Sequence, residues 1–249
     1  MSAARGRLSA QIRTEVQLVA RNGEQLLLTI GIPVLLLVFF SVVDVLPTDD
    51  ATTSGDAVDF LAPGILALAV MSTAMVSLGI ATGFERTYLV LKRLGATPLG
   101  RTRLVVAKIA GVLVVEVVQF AVLVPVSFAL GWRPEGSRWP LAIVGVVLGT
   151  TAFAGIGLSL AGRLRGEINL AAQNGIYLVL LLLGGMVIPF GELPLPVRAV
   201  ARALPSGALA DVLRDALSGT ADRPGLAWAV LAVWAVASPL VARRVFRFE

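Results

Sequence analysis

Long apolar runs alternate with short polar segments along the whole chain. The runs cover about residues 25–45, 60–83, 109–130, 141–161, 170–190 and 226–241. Each is close to the roughly 20 residues that an α-helix needs to cross a hydrocarbon layer about 30 Å thick. Their apolar residues do not alternate with polar ones, as those of a membrane β-barrel would. The pattern predicts an all-α polytopic membrane protein with six transmembrane helices, because a helix satisfies its own backbone hydrogen bonds in lipid.

Two of the polar segments have helical periodicity of their own. Residues 5–22 place apolar side chains on one face and basic ones on the other, which predicts an interfacial helix rather than a cleaved signal peptide. Residues 191–223 predict a pair of short amphipathic helices on the extracytoplasmic side, which dip into the outer leaflet or lie on it. Because no long linker separates these elements, residues 1–249 are predicted to form a single membrane domain.

Two prolines fall within the predicted spans. Pro33 lies inside the first span and predicts a kink there. Pro63 falls in the first turn of the second predicted span, where proline is tolerated because its missing N–H would have no helical partner.

Positive charge is concentrated on one side of the predicted bundle. With six spans, 15 of the 21 Lys and Arg residues fall on the side that carries both termini. Cytoplasmic loops carry such an excess, so both termini are predicted to be cytoplasmic. Charged residues make up only 15% of the chain, against about 25% in soluble domains. The net charge of +5 therefore reflects topology rather than nucleic-acid binding, and the composition indicates a multi-pass protein of a bacterial cell membrane.

The residue types that are missing narrow the chemistry. The chain has no Cys and no His, which excludes thiol chemistry, an HExxH protease and most zinc sites, so no metal site is predicted. It also has no GxxxxGK[ST] phosphate loop, so it cannot supply ATP chemistry by that motif.

The longest predicted cytoplasmic loop, residues 84–103, mixes charged and apolar side chains at helical spacing. A short amphipathic helix that ends at Gly95 fits this pattern, with a proline just beyond to stop it. A solvated basic loop that follows the charge rule fits the periodicity equally well. If the helix forms, a partner is expected to dock on it.

Five polar side chains are singled out inside the predicted spans. Glu116 lies about two turns into the third span, and Gln119 follows one turn later. A carboxylate at membrane depth is costly unless it is paired or hydrated. Glu116 is therefore interpreted either as a site for a proton or a cationic substrate, or as the structural partner of an arginine at the cytoplasmic edge or of Gln173 or Asn174 on the fifth span. Gln173, Asn174 and Tyr177 lie on one side of the fifth span, where they line a pathway or bond to neighbouring helices.

Two stretches together resemble the permease family of ABC type-2 transporters, which includes drug-resistance and polysaccharide-export permeases. The first consists of Glu85-Arg86, Lys92-Arg93-Leu94, Thr97-Pro98-Leu99 and Ala107-Lys108, which lead into an apolar span. The second is LPLPVRAVARALPSGALADVLRDALSG, residues 193–219, before the last span. With the interfacial helix and the six spans, the resemblance covers essentially the whole chain. The sequence departs from the family pattern at Tyr88-Leu89-Val90, where relatives often have a Gly-Thr pair.

The resemblance implies a membrane-spanning permease subunit of an ATP-driven exporter. Two permease chains, identical or sister subunits, would form the pathway in the bilayer. Two copies of a separate ATP-binding cassette subunit would dock below them and bind ATP and Mg²⁺, while this chain would bind no cofactor. Closure of the ATPase pair would then move the helix of residues 84–94 and the N-terminal helix, which would tilt the spans and open the pathway outward. The resemblance thus implies ATPase-coupling contacts in the loop, at Glu85, Arg86, Leu89, Lys92, Arg93, Leu94, Thr97 and Pro98.

Two other functions stay open from the sequence. A proton-coupled secondary transporter would use Glu116 and would transport without an ATPase, although the chain shows no repeat of the inverted kind found in many such proteins. A membrane scaffold or sensor would show no substrate-dependent activity with any ATPase. An intramembrane hydrolase is disfavoured, because no His, Ser/Lys or paired-Asp arrangement lies at membrane depth.

Overall fold

The structure is a computed structural model that describes residues 13–14, 17, 23–43, 54–95, 101–134, 138–221 and 223–245. Of the predicted interfacial helix, only Arg13, Thr14 and Gln17 are described; they are helical and exposed, and the rest of residues 5–22 lies outside the described part.

The described residues form α-helices and contain no β-strand. The helices are α1 (Gly23–Val42), α2 (Ser54–Met71), α3 (Leu78–Thr87), α4 (Val90–Gly95), α5 (Arg101–Ala129), α6 (Trp139–Ala161), α7 (Gly166–Leu183), α8 (Leu195–Ala203), α9 (Pro205–Leu217) and α10 (Pro224–Val245). A π-helical turn, Ser72–Ser77, continues α2 directly into α3, and a 3-10 turn, Phe190–Glu192, precedes α8.

Five helical stretches within the described residues are long and apolar enough to cross a membrane. They are Val58–Thr87, Thr102–Ala129, Trp139–Ala161, Gly166–Leu183 and Pro224–Val245. The first predicted span is represented by a shorter apolar helix, Leu27–Val42. The predicted all-α membrane fold is thus confirmed, with five full-length candidate spans and one shorter helix in place of six equal ones.

The prediction that Pro63 occupies a first turn is wrong, because α2 begins at Ser54 and Pro63 lies in its interior. Proline has no N–H, so the carbonyl of Asp59, four residues earlier, receives no helical hydrogen bond. The Ser218 hydroxyl, just after α9, lies 3.4 Å from that carbonyl and donates to it. The Asp59 carboxylate also accepts the backbone N–H of Arg133 at 2.9 Å. Contacts from distant parts of the chain therefore allow α2 to extend past the proline.

Helix α9 is buried on all sides of its axis. It packs against α2, α6 and α10, and all of its residues except Asp215 are buried. Gly145 and Gly149 of α6 lie against Val212 and Leu209 of α9, where a Cβ on either glycine would overlap those side chains. The small residues of α6 thus allow α9 to pack closely within the bundle.

Candidate functional site

Helix α3 ends in a tight corner at Tyr88 and Leu89. The Tyr88 N–H donates to the carbonyl of Phe84 at 2.9 Å, and the Leu89 N–H donates to the carbonyl of Arg86 at 3.0 Å. Leu89 has a φ of +60°, in the left-handed region that residues other than glycine rarely adopt. Tyr88 and Leu89 are nonetheless 70% and 55% exposed. Apolar exposure at a strained backbone is typical of a site that contacts a partner.

Helix α4 follows this corner and is amphipathic. The predicted continuous helix over residues 84–94 is wrong, because the chain turns at Tyr88 and Leu89 and leaves both exposed. Leu91 is fully buried, while Lys92 and Arg93 are exposed beside it. Leu94 belongs to α4, but its side chain lies outside the described part, as do Thr97 and Pro98. We call the exposed residues Tyr88, Leu89, Lys92 and Arg93 the α3–α4 corner.

Glu85 and Arg86 contact the helix bundle. The Lys108 ammonium of α5 lies 2.9 Å and 3.0 Å from the two carboxylate oxygens of Glu85. Lys108 is only 1% exposed. Arg86 donates from Nη1 to the carbonyl of Leu164, in the turn between α6 and α7, at 3.4 Å. These two residues join the α3–α4 corner to α5 and to the start of α7.

The loop is shorter than the predicted residues 84–103, because α3 continues to Thr87 and α5 already begins at Arg101. Lys108 was absent from the predicted contact residues. The signal that could have identified it is a lysine at the start of an apolar run, which requires a partner when a helix carries it into the bundle.

Glu116 lies near the middle of α5, not two turns inside a span, because that helix begins eight residues before the predicted start. Its side chain is 1% exposed. The Thr150 hydroxyl of α6 donates to Glu116 Oε2 at 2.6 Å and also lies 2.8 Å from the carbonyl of Val146. Glu116 Oε1 has no hydrogen-bond partner among the described residues. The contact with Thr150 ties α5 to α6, and this partner differs from the predicted arginine, Gln173 or Asn174, whose hydrogen bonds go elsewhere.

Gln119 supplies a backbone hydrogen bond of α1 that Pro33 cannot donate. Because Pro33 has no N–H, the carbonyl of Thr29, four residues earlier in α1, lacks its helical donor. Gln119 Nε2 donates to this carbonyl at 2.7 Å. Gln119 Oε1 accepts from the Thr73 hydroxyl, in the π-helical turn, at 3.2 Å. One buried amide thus joins α1, α5 and the π-helical turn.

Gln173 is fully buried and serves helix packing. Its Nε2 donates to the carbonyl of Gly157 in α6 at 2.9 Å and to Asn169 Oδ1 at 3.3 Å. Asn169 Nδ2 in turn donates to the carbonyl of Gly79 in α3 at 2.9 Å. These bonds hold α7 against α3 and α6.

A cavity of about 600 Å³ lies between α1, the π-helical turn, α3 and α7. Asn174 and Tyr177 line it from α7, where they are three residues apart and so share one face of the helix. Thr29 and Pro33 line it from α1, and Phe84 lies at its end nearest the α3–α4 corner. The structure therefore separates Asn174 and Tyr177, which face the cavity, from Gln173, which does not.

Arg214 of α9 joins α9 to the end of α7 and the start of the second span, away from the α3–α4 corner. Its Nη2 donates to the carbonyls of Gly185 at 2.5 Å and Met186 at 3.3 Å, just after α7. The guanidinium carbon stands 4.0 Å from the centre of the Phe60 ring, and Nη1 lies 3.7 Å from the Asp211 carboxylate. Burial lowers the pKa of Arg214 to about 10, an effect that Asp211 opposes. The group therefore remains charged at neutral pH and forms charge-assisted hydrogen bonds.

The fold and these contacts define a polytopic helical membrane protein with a lateral cavity and a separate surface corner. The sequence profile of the ABC-2 type transporter family matches residues 7–217, which is most of the chain, so the chain belongs to that family. It is thus a membrane permease subunit of an ABC transporter, a family whose members pair with an ATP-binding cassette subunit. No curated protein gives a significant match to the chain. Within the described residues, no cluster of three or more His, Cys, Asp or Glu side chains could hold a metal ion.

Proposed function

We propose that this chain forms the translocation pathway of an ATP-driven exporter as one of two permease chains. A separate ATP-binding subunit docks on the α3–α4 corner and binds the ATP and Mg²⁺. The observation that carries the proposal is the exposed Tyr88 and Leu89 at a strained turn, directly after the buried contact between Glu85 and Lys108. An exposed apolar surface next to an ion pair that reaches into the bundle suits a site at which movement of a bound partner is passed on to the membrane helices.

The contacts of Glu85 and Arg86 provide a route by which movement of the ATP-binding subunits reaches the cavity. When the ATP-binding subunits close, they displace α4. Glu85 and Lys108 carry the displacement to α5, while Arg86 carries it to the turn that begins α7. Helix α7 bears Asn174 and Tyr177 of the cavity wall, so its tilt changes the shape of the cavity.

The position of the cavity supports export. It lies in the half of the bundle that carries the α3–α4 corner, while the buried helix α9 and Arg214 lie in the other half. With that corner in the cytoplasm of a bacterial cell, as the charge distribution predicts, the substrate enters from the inside and leaves past α9.

The proposal is tested by co-purification from native membranes. The tagged chain should retain its ATP-binding subunit, and Leu89→Ser should reduce the recovered subunit severalfold. Leu195→Ser is the matched control, because Leu195 is 76% exposed on α8, away from the corner. Equal recovery with both variants, or an intact chain that brings down no ATP-binding protein, contradicts the proposal.

A proton-coupled secondary transporter is the second candidate, favoured by one observation. Glu116 Oε1 is buried and has no hydrogen-bond partner among the described residues, as a proton-accepting site requires at some stage of its cycle. Glu116→Gln can still accept the Thr150 hydroxyl but cannot carry a proton. Transport in proteoliposomes without an ATPase, abolished in Glu116→Gln, supports this candidate; transport that needs ATP and survives the substitution excludes it.

A further inference from the structure

The cavity wall carries no charge in the part of the chain that the structure describes. Its lining consists of apolar side chains and of Thr29, Ser72, Ser77, Asn174 and Tyr177, which are polar but neutral. A charged ligand that entered would lose its hydration without meeting an opposite charge, which is strongly unfavourable. The lining therefore selects for an uncharged molecule.

Two polar groups of the lining have unused hydrogen-bonding capacity. The Tyr177 hydroxyl forms no hydrogen bond with the described residues, although its side chain is half-buried. Asn174 uses Nδ2 to donate to the carbonyl of Leu170 at 3.1 Å, which leaves Oδ1 available as an acceptor. The wall thus presents one donor and one acceptor from the same face of α7.

The buried glutamine side chains elsewhere in the bundle differ from Asn174 and Tyr177 in their hydrogen bonding. Gln119 and Gln173 bridge helices through backbone carbonyls and are fully buried. The Tyr177 ring packs partly buried against the core, but neither Asn174 nor the Tyr177 hydroxyl makes a hydrogen bond to another helix among the described residues, so helix packing does not account for these polar groups. An acyl chain in the cavity would leave both groups unpaired, and unpaired polar groups in an apolar environment cost free energy.

We propose that this cavity binds an uncharged amphiphilic small molecule with an apolar body and a hydroxyl or primary amide group. The polar group of the ligand accepts a hydrogen bond from the Tyr177 hydroxyl and donates one to Asn174 Oδ1. The apolar body lies against side chains such as Ile32 and Ile80. A volume of about 600 Å³ falls in the range of small-molecule sites, roughly 300–1,000 Å³. This inference rests on the proposed function for its meaning as a substrate site, but binding to the chain does not depend on the ATPase.

The test uses three photoreactive aryl diazirines of matched shape. One carries a neutral hydroxymethyl group, one a trimethylammonium group and one a carboxylate. The purified full-length chain in lipid nanodiscs is labelled with each probe, and the modified peptides are identified by mass spectrometry. The hydroxymethyl probe is expected to label α1 and α7 peptides at least threefold more than either charged probe. Preferential labelling of the same peptides by a charged probe overturns the proposal.

Variants separate the site from general partitioning into lipid. Tyr177→Phe should lower labelling by the neutral probe about three- to tenfold, the effect of one lost hydrogen bond. Thr151→Val is the matched control, because the Thr151 hydroxyl donates to the Val147 carbonyl of its own helix and does not line the cavity. Equal labelling of both variants overturns the proposal. So does full displacement by excess lysophospholipid but not by unlabelled benzyl alcohol, which identifies a lipid chain as the occupant, or cross-linking of the cavity peptides to a second copy of the chain.

The outcome is distinguishable from failure of the proposed function. The labelling assay contains no ATP-binding subunit, so selective binding can be established even if no such subunit co-purifies with the chain. Conversely, a co-purified ATP-binding subunit together with unselective labelling leaves the permease function in place and rejects the ligand class.

Discussion

The side chain of Gln119 donates a 2.7 Å hydrogen bond to the backbone carbonyl of Thr29, 90 residues away in sequence. That carbonyl needs an external donor because Pro33 cannot supply the helical one. A buried amide in a membrane span would otherwise suggest a transport site. Here the Gln119 amide replaces a missing backbone hydrogen bond of α1. The stabilising effect of Gln119 in α5 therefore depends on Pro33 in α1, and we call these two residues one unit.

This unit can be tested by a double-mutant cycle. Gln119→Leu should lower the free energy of unfolding by about 1–3 kcal/mol, because it removes the amide that donates to the Thr29 carbonyl. In a Pro33→Ala background the backbone N–H is restored, so the same substitution should cost about 1 kcal/mol less. Unfolding of the four proteins in detergent measures the coupling. Strictly additive losses would show that Gln119 and Pro33 are independent.

The ion pair of Glu85 and Lys108 should be sensitive to removal of one partner and tolerant of removal of both. Glu85→Gln removes the negative charge beside a lysine that is 1% exposed. Because Glu85 itself is 19% exposed, the loss should lie between the roughly 1 kcal/mol of a surface pair and the roughly 3–5 kcal/mol of a fully buried one. The double variant Glu85→Met/Lys108→Met removes both charges and should recover most of the lost stability. Thermal unfolding in detergent provides the measurement.

An exposed ion pair serves as the control for that experiment. Arg138 and Asp215 lie 2.8 Å apart, but Arg138 is 52% exposed. Arg138→Gln should cost no more than about 1 kcal/mol, as is typical of surface pairs. A loss for Glu85→Gln that is no larger than the loss for this control would show that burial does not strengthen the inner pair.

A substitution at Leu89 should change the stability of the chain and its coupling to the ATP-binding subunit in opposite directions. Its φ of +60° is unfavourable for leucine and free of strain for glycine, so Leu89→Gly should raise the free energy of unfolding by up to about 1 kcal/mol. The same change removes the exposed side chain and should reduce substrate-stimulated ATPase activity severalfold in the reconstituted complex. Loss of both stability and activity would instead indicate that Leu89 packs within the chain.

Because the chain has no Cys, single introduced cysteines report its topology directly. Arg163, in the turn between α6 and α7, and Glu192, before α8, are both exposed. In intact cells a membrane-impermeant maleimide should label Glu192→Cys and should label Arg163→Cys only after permeabilisation. The reverse pattern would place the α3–α4 corner outside the cell and contradict a cytoplasmic ATPase.

The sequence predicts those features that depend on local composition. Apolar runs of sufficient length identify the spanning helices, and alternating charge and apolar residues identify α4, whose Leu91 is buried between exposed neighbours. Features that depend on a distant partner were not predictable. From the sequence alone, Lys108 looks like a loop cation, because its partner Glu85 is brought to it only by the folding of α3. Pro63 likewise looks like the start of a helix, because the Ser218 hydroxyl that donates to the carbonyl of Asp59 is distant in sequence.

The same difference between local features and features that depend on distant partners applies to the candidate site. Helical periodicity groups Gln173, Asn174 and Tyr177 on one side of α7, but it cannot show where the neighbouring helices lie. The carbonyls of Gly157 and Gly79 attract Gln173 and its neighbour Asn169 into the packed interface. The next residue, Asn174, is then left at the cavity.

The enclosure of α9 has a consequence for how the protein is made. Two of its supports, α2 and α6, precede it in the chain, whereas the third, α10, follows it. During synthesis, α9 therefore has no complete binding place until Pro224–Val245 has left the ribosome and entered the bilayer. The last helix thus completes assembly by trapping an element already synthesised, and truncation before it should leave a chain that quality-control proteases remove.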